Sequence, residues 1–156
     1  MRLRPHHILD IVNSHGHDIE FTAHPYGHAN HTVAQAILSD LEVEIELVLG
    51  ADDICKPCKH LHPDGICDDV LSQLERPVSK QAYNDELDAR LFAHFKWAPG
   101  TTLSCRRFLE EVNRHLPGLE KICAHPKEDT HRRLEGLMRG LLKLGIRQES
   151  DNHKIE

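Results

Sequence analysis

The sequence predicts a mainly α (α+β) fold of about five helices, with one short strand or small sheet next to a Cys-rich loop. Three observations carry that expectation. Apolar side chains recur every three to four positions in several stretches separated by Gly and Pro, one stretch alternates with period two, and a turn-rich segment holding three cysteines follows it directly. A chain of 156 residues suits one hydrophobic core, read as residues 1–147, with a polar tail over 148–156.

Each element has its own signal. Pro5 suits a first helical turn, and Ile8, Leu9, Ile11 and Val12 keep helical spacing until Gly16, which predicts a helix over 5–15. Residues 16–30 lack periodicity, and because loops this long are usually functional or disordered, this one is a candidate wall of a site. Asn30 can cap a second helix that carries Val33, Ile37 and Leu41 on one face. Residues 42–49 alternate charge and hydrocarbon, the pattern of a strand with one buried face. A lone strand leaves backbone groups unpaired, so a short internal segment is expected beside it; a second copy of the chain, in a homodimer, is the alternative. Ser79 caps a third helix through Tyr83, Leu87, Leu91 and Phe95, ended by Ala98-Pro99-Gly100. Thr101 or Thr102 caps a fourth through Cys105, Phe108, Leu109, Val112 and Leu116. A short piece spans Leu119 to Cys123, and Asp129 opens a last helix through Leu134, Leu137, Leu141 and Leu144.

Composition narrows the partners. With 19 Lys+Arg against 25 Asp+Glu the formal net charge is −6, which lacks the basic field that captures phosphate backbones. Trp97, two Tyr and four Phe are too few and too scattered for base stacking, so nucleic acid is not an expected partner. Apolar runs stop at about three residues where a spanning helix needs about 20, so neither is a membrane. No apolar run follows Met1-Arg2-Leu3-Arg4-Pro5, so no secretory signal is expected and the chain is read as cytoplasmic. In that compartment five cysteines are more readily ligands, reactive thiols or core residues than disulfides. Fourteen histidines, seven of them by position 31, point the same way towards metal.

Cys55-x2-Cys58 followed by Cys67 is the strongest chemical signal, because thiolates two residues apart in a turn stiffened by Pro57 can reach one metal centre. The Asp64-Gly65 turn can deliver the third thiolate. A fourth ligand is open between Cys123, His60 and His62. Cys105 instead lies on an apolar helix face, where free cysteine acts as a small hydrophobe. His6 and His7 sit about 100° apart on their helix. Asp10, four residues on, can fix the tautomer of His6, while His7 leans towards Ile11 and the buried stripe. Either is a candidate acid or base, the plainer alternative being a core histidine with its hydrogen bond satisfied. Asp52 and Asp53 suit turn-amide bonding, and Asp53 is also a candidate catalytic carboxylate. The histidines from His15 to His31 suit either a solvated surface or a metal-capturing flap.

Taken together, Arg4-Pro5-His6-His7-Ile8-Leu9, Tyr26-Gly27, Ile45-Glu46-Leu47-Val48, Asp52-Asp53-Ile54-Cys55-x2-Cys58, Cys67 and Ile122-Cys123 resemble the domain-of-unknown-function family 1284. The similarity runs over roughly residues 3–125, and the Asp-Asp-Ile-Cys-x2-Cys block is its most specific part. Members of that family are often described as iron–sulfur binding. The resemblance implies Cys55, Cys58, Cys67 and Cys123 as cluster ligands and matches His6 and His7 to the family's paired histidines. Past Cys123 the family pattern continues with further cysteines and a tryptophan, where this chain has Ala124-His125-Pro126-Lys127. His125 thereby joins the choices for the fourth ligand.

The leading expectation is a cytoplasmic metalloprotein with a cysteine-held iron–sulfur cluster of the 4Fe-4S type. The metal acts as a Lewis acid on a small-molecule substrate, in a lyase, hydratase or desulfurising reaction, and His6 or His7 moves a proton. A structural zinc or metal-handling module without catalysis is the second reading. An electron-transfer iron–sulfur protein is the third.

Overall fold

The structure, a computed structural model, describes residues 1–72 and 74–154, with side chains described as far as Asp151. The chain opens with β1 (Arg2–Leu3) and α1 (Pro5–Gly16), then α2 (Asn30–Ser39) and β2 (Glu44–Leu47). After the cysteine segment come β3 (Val70–Leu71), β4 (Val78–Ser79) and α3 (Lys80–Phe95). β5 (Thr102–Ser104), α4 (Cys105–Arg114), α5 (Leu119–Cys123) and α6 (Thr130–Lys143) follow. The fold is therefore α+β and mainly helical. A 3-10 turn (Glu149–Lys154) occupies most of the stretch expected as a polar tail, and residues 155 and 156 lie outside the described residues.

The strand read from period-two alternation is the centre of a three-stranded sheet. β2 pairs in parallel with β1, Leu3 opposite Leu47, and antiparallel with β5, Ile45 opposite Leu103. Ile45 and Leu47 are buried while Glu44 and Glu46 face outwards, as the alternation requires. Both partners are internal segments, so the sheet is completed within one chain. β5 corrects the expected helix cap: Thr102 is spent in pairing with β2, and Ser104 Oγ instead accepts the Arg107 N–H at the start of α4. Ser79 and Asp129 cap α3 and α6 as their sequences imply. Asn30 begins α2 inside the helix, after Ala29 at the cap position.

The core gathers Ile8, Leu9, Ile11 and Val12 of α1, Leu91 of α3, Phe108 of α4 and Leu137 and Leu141 of α6. α1 packs closely against α6 because three glycines leave the helix surfaces bare where they cross. A methyl group on Gly16 would overlap the Gly136 carbonyl oxygen, and one on Gly140 would overlap the carbonyl of Val12. This contact fixes the first and last helices as one unit. Among the described residues no helix is long and apolar enough to cross a membrane.

Candidate metal centre

A cavity of about 450 Å³ opens between the first turns of α1, the cysteine segment, the start of α3 and the α5–α6 junction. Cys55, Cys58, Cys67 and Cys123 all line it, and so do His6 and His7. Cys105 does not. It is wholly buried on α4, and burial pushes its thiol up to about 12, in keeping with a core role.

The cysteine segment is shaped chiefly by Asp52. One carboxylate oxygen accepts the N–H groups of Ile54 (3.0 Å) and Cys55 (3.1 Å), and the other accepts the Arg4 N–H (2.8 Å) and bonds His7 Nδ1 (2.7 Å). Burial alone would raise the pKa of Asp52, but His7 and the backbone donors outweigh it and hold the carboxylate well below its usual range. The Cys58 N–H donates to the Cys55 carbonyl (2.8 Å), closing a tight turn between the first two thiols. Gly65, at φ +84°, makes the return, and Leu61 pairs with Cys67 across it. Gln81 of α3 then fixes the third thiol by accepting the Cys67 N–H (3.0 Å). The long loop after α1 lies against this segment: Tyr26 accepts the Lys59 N–H (2.8 Å) and Ala29 donates to Ile54 (2.9 Å). Tyr26 and His28 line the cavity, so part of that loop is a wall of the site.

The two histidines each turn Nδ1 to a different buried carboxylate. His6 Nδ1 lies 2.9 Å from Asp88, a fully buried residue of α3 that also accepts the His6 N–H (3.0 Å) and Arg4 Nη1 (3.0 Å). Asp10, expected beside His6, instead pairs with Arg133 (2.7 Å). The reason is solvent: Asp10 is half exposed, whereas Asp88 has no water and needs every donor in reach. His7 bonds Asp52, so it does not join the buried stripe with Ile11. Burial disfavours its charged form, but Asp52 outweighs burial and raises its pKa. Asp88 is likewise held low, its donors outweighing burial.

Two groups that complete this arrangement escaped sequence reasoning. Asp88 shares helical spacing with Leu91, Phe92 and Phe95, and Arg133 with Leu137 and Leu141. A charge on an apolar stripe was the available signal in both cases. Arg133, only 4% exposed, donates from Nε to Cys123 Sγ (3.0 Å) and from Nη1 to Glu128 (3.1 Å). Burial pushes the Cys123 thiol up and Arg133 pulls against it. Burial, with the charge of Asp52, also pushes the Cys55 thiol up to about 12.

Asp53 lies outside the cavity. Its carboxylate accepts the Arg2 N–H (2.8 Å) and its own N–H donates to the Arg2 carbonyl (3.0 Å), so it ties the cysteine segment to β1. His60 and His62 both bond Asp68 (2.7 and 2.6 Å), and of the two only His60 lines the cavity. His60 Nε2 and His125 Nε2 are buried without a hydrogen-bond partner, on rings that both line it.

The residues lining the cavity include donors of the kinds that hold zinc or iron. One zinc ion, at about 2.3 Å from each sulfur, would draw its thiolates to within about 4 Å of one another. Among the described residues the metal-ligand types whose atoms all fall within 4.8 Å of one another are His7, Asp52 and Cys55, not the three loop thiols. Asp52 already uses its lone pairs on four donors, which makes that trio a hydrogen-bonded support for Cys55. Three thiols from one segment, a fourth from the end of α5 and two orphaned imidazole nitrogens thus line the same cavity.

No curated protein and no solved structure matches the chain. A family model described as "Protein of unknown function (DUF1284)" matches residues 20–127, a span that holds all four cavity cysteines and excludes His6, His7 and Arg133. The chain belongs to that family.

Proposed function

We propose that the chain is a metalloprotein carrying a four-iron, four-sulfur cluster on Cys55, Cys58, Cys67 and Cys123. The reading extends to a Lewis-acid role on a small molecule, in a lyase, hydratase or desulfurising reaction. One observation carries it: four thiols from two separate segments share one cavity with two carboxylate-held histidines, and the fifth thiol is buried elsewhere. When bound, such a cluster supplies an electron-poor iron that polarises a substrate oxygen or sulfur.

The chain's own side chains do the rest. Because Nδ1 of His6 and of His7 faces an ionised carboxylate, that nitrogen carries the hydrogen and Nε2 keeps the lone pair. Nε2 is then the atom that takes a proton from substrate and, once protonated, returns it. Asp88 and Asp52 orient the rings, and Asp52 stabilises the imidazolium form of His7. Tyr26 and His28 close one wall against bulk water. A reducing cytoplasm keeps the four thiols available.

The test is anaerobic purification with iron and acid-labile sulfide measured per chain, together with a visible spectrum and EPR after adding small ligands. Iron and sulfide in equal amounts, with an EPR signal that responds to the ligands, are expected. Zinc as the sole metal, with loss of folding on chelation, would favour the structural reading instead. A reversible couple that ignores every small ligand would favour electron transfer.

A further inference from the structure

Geometry sets Cys123 apart from the other three thiols. Cys55, Cys58 and Cys67 come from one segment whose amides are fixed by Asp52, by the turn between them and by Gln81. Cys123 comes from the last residue of α5, and among the described residues it is the cavity thiol whose sulfur accepts a side-chain hydrogen bond. The donor, Arg133, is buried and held from behind by Asp10 (2.7 Å) and Glu128 (3.1 Å), so its guanidinium cannot swing away to water. A charged donor on a thiolate draws electron density off the sulfur, which weakens its bond to a metal, and it compensates the charge when that bond opens.

We propose that Cys123 is the exchangeable ligand of the centre and that Arg133 is the positioning residue that makes it so. This rests on the cluster reading above. With a cluster bound, Cys123 would be the thiolate that leaves the metal as a substrate donor atom arrives, keeping its electron pair on sulfur, and Arg133 would pair with that thiolate. A lone pair from the substrate's oxygen, nitrogen or sulfur would make the replacement bond, with no change of oxidation state. The substrate is therefore a small molecule with an accessible lone-pair donor. His6 and His7 stand on another wall of the same cavity to move its proton.

Two measurements test this. Iron and sulfide per chain are compared after anaerobic reconstitution of the wild type and of Cys55→Ala, Cys58→Ala, Cys67→Ala and Cys123→Ala. Imidazole is then titrated against the EPR signal of the wild type, Arg133→Met and Arg133→Lys. Cys123→Ala is expected to keep most of its iron while each loop variant loses it. Arg133→Met is expected to need about tenfold more imidazole than the wild type for the same spectral change, the scale typical of groups that support a metal ligand. Arg133→Lys, which keeps the charge, should fall between, and it carries the test if Arg133→Met does not fold. Equal iron loss in all four cysteine variants, or an unchanged imidazole response in a folded Arg133 variant, overturns the ligand ranking while leaving the cluster in place. A wild type without iron overturns the cluster reading, and this inference with it.

Discussion

The contact between α1 and α6 gives a sharp quantitative prediction, through Gly16→Ala. A methyl group there would overlap the Gly136 carbonyl oxygen and lie 2.7 Å from the Gly140 nitrogen, both of them backbone atoms of α6 that no rotamer change can clear. The helices must part instead. Overpacking of a tight core costs about 1–3 kcal/mol, and clashes with backbone belong at the upper end, about 3. Replacing glycine in a helix returns at most about 1 kcal/mol, which leaves a net loss of about 2. At about 2–4 °C per kcal/mol for a domain of this size, the melting temperature should fall by about 4–8 °C. Circular dichroism melting reads this directly, and Gly136→Ala is the internal control. Its methyl would meet the side chains of Asn13 and His17, which can rotate, so the loss should be smaller. A Gly16→Ala melt at or above wild type, or a larger loss for Gly136→Ala, would show that close helix approach is not what holds this contact.

Asp88→Ala should lower stability by about 3–5 kcal/mol in urea denaturation, because it strips a buried carboxylate from Arg4 and from both donors of His6; an unchanged midpoint would refute the buried network. For metal-free protein, Asp52 and Asp88 are held below the unfolded carboxylate value of about 4, so the stability they contribute is present above that pH and is lost as pH falls towards their folded values. His7 is raised, so its contribution is complete below about pH 6.5 and fades as pH rises through its folded value. Urea midpoints should therefore fall on both sides of a maximum lying between about pH 4 and about pH 6.5, and a profile flat into acid would contradict the first assignment. Cys105→Ala should cost about 1–2 kcal/mol and, under the cluster reading, leave the metal content per chain as in the wild type, since its sulfur sits in the core away from the cavity; metal loss in a variant that still folds would place it in the site.

Local chemistry made much of the fold legible. Pro5 at the start of α1, Ser79 and Asp129 as caps, and the alternation around Ile45 and Leu47 each act within a few residues of where they are read. β1, β3, β4 and β5 span only two or three residues, too few to show a period, and they exist because a longer neighbour or a returning loop offers hydrogen bonds. At the site, the thiol spacing was legible for the same local reason. The partners of His6 and Cys123 were not. Asp10 sits one turn from His6 and looked sufficient, yet burial selected Asp88 from 82 positions away, and Asp10 met Arg133 from 123 positions away. Such pairings are decided by which charges the core strands without water, a property of the finished packing.

The cavity draws on both ends of the chain, His6 from the first helix and Arg133 from the last, with the cysteine segment between them. During synthesis the pocket is unfinished until the final helix has left the ribosome, however early the thiols emerge. Under the cluster reading, an inorganic group could be held by the full set of residues only once α6 has docked. Until then the four thiols that line the cavity stand without their walls around them, open to an oxidant that reaches them first.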